Sequence, residues 1–347
     1  MATTISSDNN KVLWTTVASA SVVAVGIGVV VTYSLMGRQQ CDGVKKKKTG
    51  DNNEHESWNA HIINNKHHDD INADGDGSGH HLEEVFPGML YRLESSGCDF
   101  GPPVRNMIIY RIPPTGDDDN GGRHYLLIYN GIAVQEKTLQ EILALGTPSV
   151  LVVPNAMHRC CAGVWKRRFP KLIVICPTQS RVKVDDVVAV DQTLTEFALS
   201  NVTWKDWLVD VSQIDGWDNC EDVLEVKLTD QKQAMIVCDS LFTLSYNRDL
   251  GMAGRIIQWI FDSHVDEPSA ATEATRMIIP KVSRVARIFF IKDWTQAEVW
   301  FRNYAKRGPD IYAILVGHGP PVVEVDATKG CADAFEGVAD QLTKPRW

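Results

Sequence analysis

The 347-residue chain is 44% hydrophobic and 23% charged, ordinary globular usage that excludes collagen-like, silk-like and wholly disordered chains. Its formal net charge of -9 argues against a nucleic-acid partner, because neutralising a phosphate backbone needs a basic surface. The length suits two average domains or one large domain with appendages, and ten Trp point to a substantial packed core.

After a short tail, residues 1–11, no charge occurs from Val12 to Met36. Those 25 residues exceed the roughly 20 needed to span a hydrocarbon core as a helix, and Trp14 and Tyr33 suit interfacial anchoring. A single transmembrane helix over 12–36 is therefore expected, with a cleaved targeting segment as the alternative. Lys11 stands alone before the stretch, whereas Arg38 and Lys45, Lys46, Lys47 and Lys48 follow it. The positive-inside bias then places the C-terminal bulk in the cytoplasm, with the membrane as a partner through this helix. Eight cysteines without small-scaffold spacing agree with a reducing compartment.

Residues 37–86 are rich in Asn, Asp, His, Lys and Gly and lack an apolar period, the signature of a disordered polar linker. Six of the ten histidines lie there: His55, His61, His67, His68, His80 and His81. The stretch from Asn72 to Glu83 has the oxygen spacing of a calcium loop, with Asn72, Asp74, Asp76 and Glu83 as ligands and Gly77 at the sharp turn. Its eighth position is Gly79, its flanks lack amphipathic helices and Pro87 stops an exiting helix, so a weak calcium site at most is expected.

Residues 87–347 alternate short apolar runs with amphipathic helices, the pattern of one layered α/β domain. Strands are expected at Met89–Leu93, Asn106–Ile112, His124–Tyr129, Ser149–Val153, Leu172–Cys176, Val187–Val190, Val223–Leu228, Ala234–Cys238 and Ile311–Val316. Helices are expected at Val134–Leu145, Met252–Phe261 and Gln296–Lys306. Neither a dinucleotide glycine fingerprint nor a phosphate-binding loop occurs.

Three segments in order carry a resemblance. They are Tyr125-Leu-Leu-Ile-Tyr-Asn130 with Ser149-Val-Leu-Val-Val-Pro-Asn-Ala-Met-His158, then the strand pair running from Val226 to Asp239-Ser-Leu-Phe242, then Ile311-Tyr-Ala-Ile-Leu-Val-Gly-His318-Gly. Together they resemble the metallo-β-lactamase-fold superfamily, in an uncharacterised branch where Pro-Asn-x-x-His and Trp165-Lys-Arg-Arg-Phe169-Pro170 replace the standard H-x-H-x-D-H motif. The resemblance implies an αββα sandwich and a hydrolase-like metal site. Aligning Gly163 with the glycine that closes the family motif puts Ala156 and His158 at its first two His positions and Cys160 and Cys161 at its Asp-His pair. Asp239 falls at the metal-bridging aspartate and His318 at the last ligand.

A dinuclear zinc site of that family needs about five imidazoles and two carboxylates. This domain holds four histidines, and His124 and His264 match no ligand position. The ordinary two-metal site cannot be assembled. What remains is His158, Asp239 and His318, with Cys160 or Cys161 as further donors, enough for one zinc or iron or for none. Two functions follow: a membrane-anchored, non-catalytic or binding domain of this fold, or a divergent mononuclear metal-dependent hydrolase using His158, Asp239 and His318. The basic run Lys166-Arg167-Arg168 reads either as a phosphate or anionic-lipid contact or as a solvated helix face.

Overall fold

A computed structural model of the protein describes residues 82–95, 105–112, 124–200, 208–218, 221–245, 255, 258–259, 262, 264–265 and 277–343. Four antiparallel strands open the chain of elements: β1 (Leu82–Phe86), β2 (Leu90–Ser95), β3 (Arg105–Ile112) and β4 (Tyr125–Tyr129). Helix α1 (Glu136–Leu145) then carries the chain to β5 (Thr147–Val152), and α2 (Ala162–Arg168) carries it to β6 (Ile173–Cys176). After α3 (Arg181–Asp185) the short β7 (Gln192–Thr193) closes a seven-stranded sheet in sequential order, parallel from β4 onward.

The second half builds a five-stranded sheet. Helix α4 (Leu194–Ser200) precedes β8 (Leu208–Ser212), β9 (Val223–Lys227) and β10 (Gln233–Ile236). A two-stranded pair follows, β11 (Leu244–Ser245) with β12 (His264–Val265). Then come α5 (Arg284–Phe289), α6 (Trp294–Arg307), β13 (Ile311–Leu315), β14 (Val322–Val323) and α7 (Ala332–Thr343). The order is β14-β13-β10-β9-β8, and only β10 and β13 run parallel.

The side-chain alternation of the strands fixes the layers. On β3 and β4, Met107, Ile109, Leu126 and Ile128 face α1 and α2, packing with Leu139, Ile142, Val164 and Trp165. Their neighbours Ile108, Tyr110, Leu127 and Tyr129 face the other way, against Leu224, Val226, Ala234, Ile236, Ala313 and Leu315 of the second sheet. The far face of that sheet, with Met235, Ile314 and Val316, is covered by Trp300, Phe301, Phe335 and Val338 of α6 and α7. Helix, sheet, sheet and helix therefore stack in four layers, the αββα arrangement. With both faces covered, strands read as continuous apolar runs, as in Met107 to Tyr110.

Two charged groups in the layers are satisfied locally. Glu225 points from β9 toward the helices, where it accepts from Arg307 Nη2 at 2.7 Å and Tyr304 Oη at 2.5 Å. The basic run of α2 ties the helix down: Lys166 donates to the Leu172 carbonyl at 2.6 Å and pairs with Asp191 at 3.1 Å, and Arg168 pairs with Glu136 at 3.1 Å. Lys166 and Arg168 thus have partners on neighbouring elements, while Arg167 is exposed.

Three expectations change. The polar linker expected to reach residue 86 stops earlier, because Leu82–Phe86 forms β1 and pairs in register with β2. Within it Glu83 accepts from Arg92 at 2.6 Å. Asn72, Asp74 and Asp76 lie outside the described residues. Val187–Val190 is a turn that packs Val188 and Val190 into the helix-side core, while the strand sits at Gln192–Thr193. The C-terminal helix α7 was not anticipated, since its Ala-rich apolar face is muted in sequence. The expected membrane helix over 12–36 and most of the expected helix 252–261 fall outside the described residues. Among the described residues no helix is long and apolar enough to cross a membrane.

Trp165 anchors the helix side of the first sheet: it is fully buried, stacks on Phe169 at 5.6 Å and donates from Nε1 to the Ile132 carbonyl at 3.0 Å. Trp165→Ala is expected to cost about 3–5 kcal/mol, through cavity formation and an orphaned carbonyl, read by urea denaturation.

Candidate metal centre

The strands deliver the polar residues to one end of the sandwich. Asn130 follows β4, and Asn155 and His158 follow β5, its parallel neighbour. In the second sheet Cys238 and Asp239 follow β10, and His318 follows β13, again a parallel neighbour. Parallel pairs put successive C-terminal ends side by side, which is where open α/β sheets place their sites. Asn106, near the start of antiparallel β3, sits at the same end, and its backbone N–H donates to the Gly317 carbonyl at 2.8 Å, joining the two sheets.

Among the described residues one group of metal-ligating side chains converges: His158, Cys238, Asp239 and His318, all buried, with donor atoms within 4.8 Å of one another. His158 Nε2 lies 3.2 Å from Asp239 Oδ1, and His318 Nε2 lies 3.0 Å from the same oxygen. The two imidazole nitrogens are 3.4 Å apart. A tetrahedral zinc with bonds near 2.0–2.1 Å separates its ligand atoms by about 3.3 Å, so the three distances match three corners of such a polyhedron. The donor set, two imidazoles and a carboxylate with a thiol in reach, is that of a zinc-class ion.

Each ligand is held by its own support. Asn155 Oδ1 accepts from the backbone of Met157 at 2.9 Å and of His158 at 3.2 Å, and its Nδ2 donates to Asp239 Oδ2 at 2.7 Å. One asparagine thus shapes the His158 turn and orients the carboxylate across the sheets. Glu221, just before β9, accepts from Cys238 N at 2.6 Å, Asp239 N at 2.7 Å and Ser240 Oγ at 3.1 Å, pinning the turn that carries Asp239. His318 stacks on Phe242 at 5.3 Å between glycines that geometry demands. A Cβ on Gly317 would stand 2.5 Å from Cys238 Sγ, and Gly319 has φ +102 against Thr243.

The electrostatics favour a cation. Burial lowers the His158 pKa, more than Asp239 raises it, with Arg105 and His318 adding to the fall. Burial raises the Asp239 carboxyl, but the two imidazoles outweigh it and hold the group well below the ordinary range, ionised. Burial, then the Asp239 charge, pushes Glu221 up to about 8, against three donated hydrogen bonds that hold its charged form. Burial first, then Asp239 and Glu221, keep the Cys238 thiol well above its usual value and protonated. A buried, acceptor-rich centre of this kind is stabilised by a divalent cation.

Of the five metal donors expected from sequence, the fold brings together His158, Asp239 and His318. Cys160 and Cys161 are outside the group: Cys161 is buried in the helix-side core at the start of α2, and the thiol at the centre is Cys238. Cys238 also packs between the sheets. Glu221, Asn130 and Asn155 were not anticipated as site residues. An acidic pair, Glu221-Asp222, at the head of an apolar strand was the available signal for the first.

Fold and site together define a four-layer α/β sandwich with a His/Cys/Asp/His donor cluster at its strand ends. No protein-family model matches the sequence, and comparison with curated proteins finds no relative. Among solved structures the chain is similar to FIM-1 metallo-beta-lactamase from Pseudomonas aeruginosa in its mono-zinc form, at 12% identity and a TM-score of 0.41 over 79% of this chain and 100% of that one. It is also similar to a metallo-beta-lactamase from Erythrobacter litoralis, at 12% identity and 0.43 over 76% and 97%. A third, from Pontibacter korlensis, gives 10% and 0.40 over 74% and 98%. At this distance the site assignment rests on its own geometry.

With its carboxyl raised to about 8 by burial and by Asp239, Glu221 takes up a proton on folding, so its contribution to stability falls as pH rises from 4.5 to about 8. Glu221→Gln, which mimics the protonated acid, is expected to flatten that part of the stability profile, read by chemical denaturation across the range.

Proposed function

We propose that this chain is a divergent member of the metallo-β-lactamase-fold superfamily that holds one zinc-class ion on His158, Asp239 and His318 and acts as a metal-dependent hydrolase. The observation that carries the reading is the convergence of three buried donor atoms, 3.0 to 3.4 Å apart, on the space a single ion would fill. Such an ion supplies Lewis acidity toward a carbonyl or phosphoryl oxygen and makes a water nucleophilic near neutral pH. The chain's own residues do the rest. Asp239 neutralises charge at the centre, with Asn155 holding its second oxygen and leaving Oδ1 to the imidazoles. Glu221 keeps Asp239 from swinging away by gripping its backbone N–H. Phe242 stacks on His318 and shields that side of the centre.

A second reading is favoured by Cys238. Its thiol is within reach of the same centre, and a thiolate there would complete four donors and close the site, giving a structural, non-catalytic metal. Metal analysis of the purified full chain is expected to return about one ion per chain, lost on His158→Ala with His318→Ala. A metal-free wild type would remove both readings. Cys238→Ser separates them: the hydrolase keeps its ion and its cleavage of a generic ester or phosphodiester, and the closed site loses affinity.

We further propose that residues 12–36 tether the domain to the cytoplasmic face of a membrane. The uncharged 25-residue stretch and the basic flank at 45–48 support this reading. The full chain is expected to stay with the membrane pellet through alkaline carbonate, and a chain starting after residue 36 to be released.

A further inference from the structure

The first sheet has a second end, away from the donor cluster. There β3 finishes while β4 and β5 begin, and a cavity of about 590 Å³ lies beside α1 and the end of α2. At about 3.3 Å per residue, the length of β4 and β5 sets it roughly 15–20 Å from His158 and Asp239. The volume falls within the range of small-ligand pockets, about 300–1,000 Å³. Its wall is largely apolar, with Leu143 and Leu145 of α1, Pro148 of β5 and Phe169 behind α2. Arg111 of β3 and His124, one step before β4, complete it, and no lining residue is acidic.

Each of these two side chains holds a nitrogen that the fold leaves unsatisfied. Arg111 Nε and His124 Nδ1 are sealed from solvent, and neither has a hydrogen-bond partner among the described residues. An arginine Nε–H can only donate, so the missing partner is an acceptor. Folded interiors rarely leave such a donor alone, because its desolvation is then uncompensated. The backbone around both residues is nonetheless pinned. Arg111 N donates to the Met89 carbonyl at 2.7 Å, and its Nη1 reaches the Gly88 carbonyl at 3.2 Å. The His124 carbonyl accepts from Thr147 N at 2.9 Å. Gly146 permits that approach, since a Cβ there would stand 2.5 Å from the same carbonyl oxygen.

The register brings the two side chains together. Arg111 pairs with Leu126 across β3 and β4, and Leu126 faces the helices. His124, two residues earlier, is then the diagonal neighbour of Arg111 on that face, with backbones about 7–8 Å apart and long side chains within reach of each other. We propose that this cavity binds a small amphipathic carboxylate, its head on Arg111 and His124 and its apolar body against Leu143, Leu145 and Phe169. One carboxylate oxygen accepts from Arg111 Nε–H, and the other from His124 with the ring hydrogen on Nδ1. A phosphate would add a second charge and a third oxygen, for which the apolar wall has no donor. A neutral alcohol or hydrocarbon would leave the guanidinium uncompensated. The site stands apart from the metal centre and does not rest on the function proposed there.

The test is equilibrium dialysis of radiolabelled octanoate against the full-length chain, with octanol and octyl phosphate as competitors. About one octanoate per chain is expected, and each competitor is expected to be about tenfold weaker or worse. Arg111→Gln removes the charge and the Nε–H and is expected to weaken octanoate about 10–100-fold; His124→Phe keeps the ring shape and is expected to weaken it about tenfold. Ala144→Trp adds bulk at an exposed position of the wall, keeps both donors and is expected to abolish binding. If Arg111→Gln does not fold, Ala144→Trp decides. The His158→Ala, His318→Ala double variant is expected to bind octanoate as wild type does. Loss of binding there would put the acid on the metal centre and overturn the proposal. Competition by octanol or octyl phosphate equal to that of octanoate overturns it too, as does wild-type affinity in folded Arg111→Gln or Ala144→Trp.

Discussion

Covering both faces of both sheets leaves the ends of the strands as the place where polar chemistry can gather. Three apolar layers occupy the interior, so a buried carboxylate either takes a dedicated partner, as Glu225 takes Arg307 and Tyr304, or sits like Asp239 beyond the last ladder hydrogen bond, where turns supply donors. The parallel pairs β4–β5 and β10–β13 bring four such ends together. The remaining features follow. The Gly317 and Gly319 pair exists because β13 must pass close to the Cys238 and Thr243 backbones there. Asn155 and Glu221 exist because a buried carboxylate turn needs its N–H groups and its oxygens satisfied at once.

Much of the fold was legible. Alternation in β3, β4, β9 and β10 marks both faces, and the expected strand cores match those observed within a few residues. The failures have physical causes. At Val187–Val190 a β-branched run serves a turn, because two valines reach the core without joining a ladder. β1 hides in a polar stretch since, at the sheet edge, it buries only Val85 fully and spends Glu83 on Arg92. At the site, His158, Asp239 and His318 could be singled out because the segments that carry them resemble the ligand-bearing segments of the metallo-β-lactamase fold. Their supports could not. Asn130 looks like any turn asparagine until its left-handed φ and its contacts with Arg105, Asn106 and His158 are known, and Cys238 looks like one more core thiol until β13 is laid beside β10.

The basic run of α2 shows the same limit from the other side. Lys166, Arg167 and Arg168 look like a charged surface, but two of them close the gap between α2 and its neighbours through Asp191, the Leu172 carbonyl and Glu136. Long cationic side chains can cover apolar surface while their heads find backbone oxygens. Similarly Glu225 and Arg307 form a partly buried pair whose value lies in fixing α6 over the second sheet more than in net energy.

The bond from Asn106 to the Val316 carbonyl joins residues 210 apart in sequence. Its partners sit in the first antiparallel strands and near the final helix, so the loop it closes encloses nearly the whole domain. Closing such a loop is an entropic cost that is met late, after local elements have formed. During synthesis the early strands and α1 emerge long before β13, and for that interval His158 has neither Asp239 nor His318 beside it. The centre is therefore a property of the completed chain. A ribosome-bound or prematurely ended polypeptide holds these side chains apart, and they meet only once β13 lies beside β10.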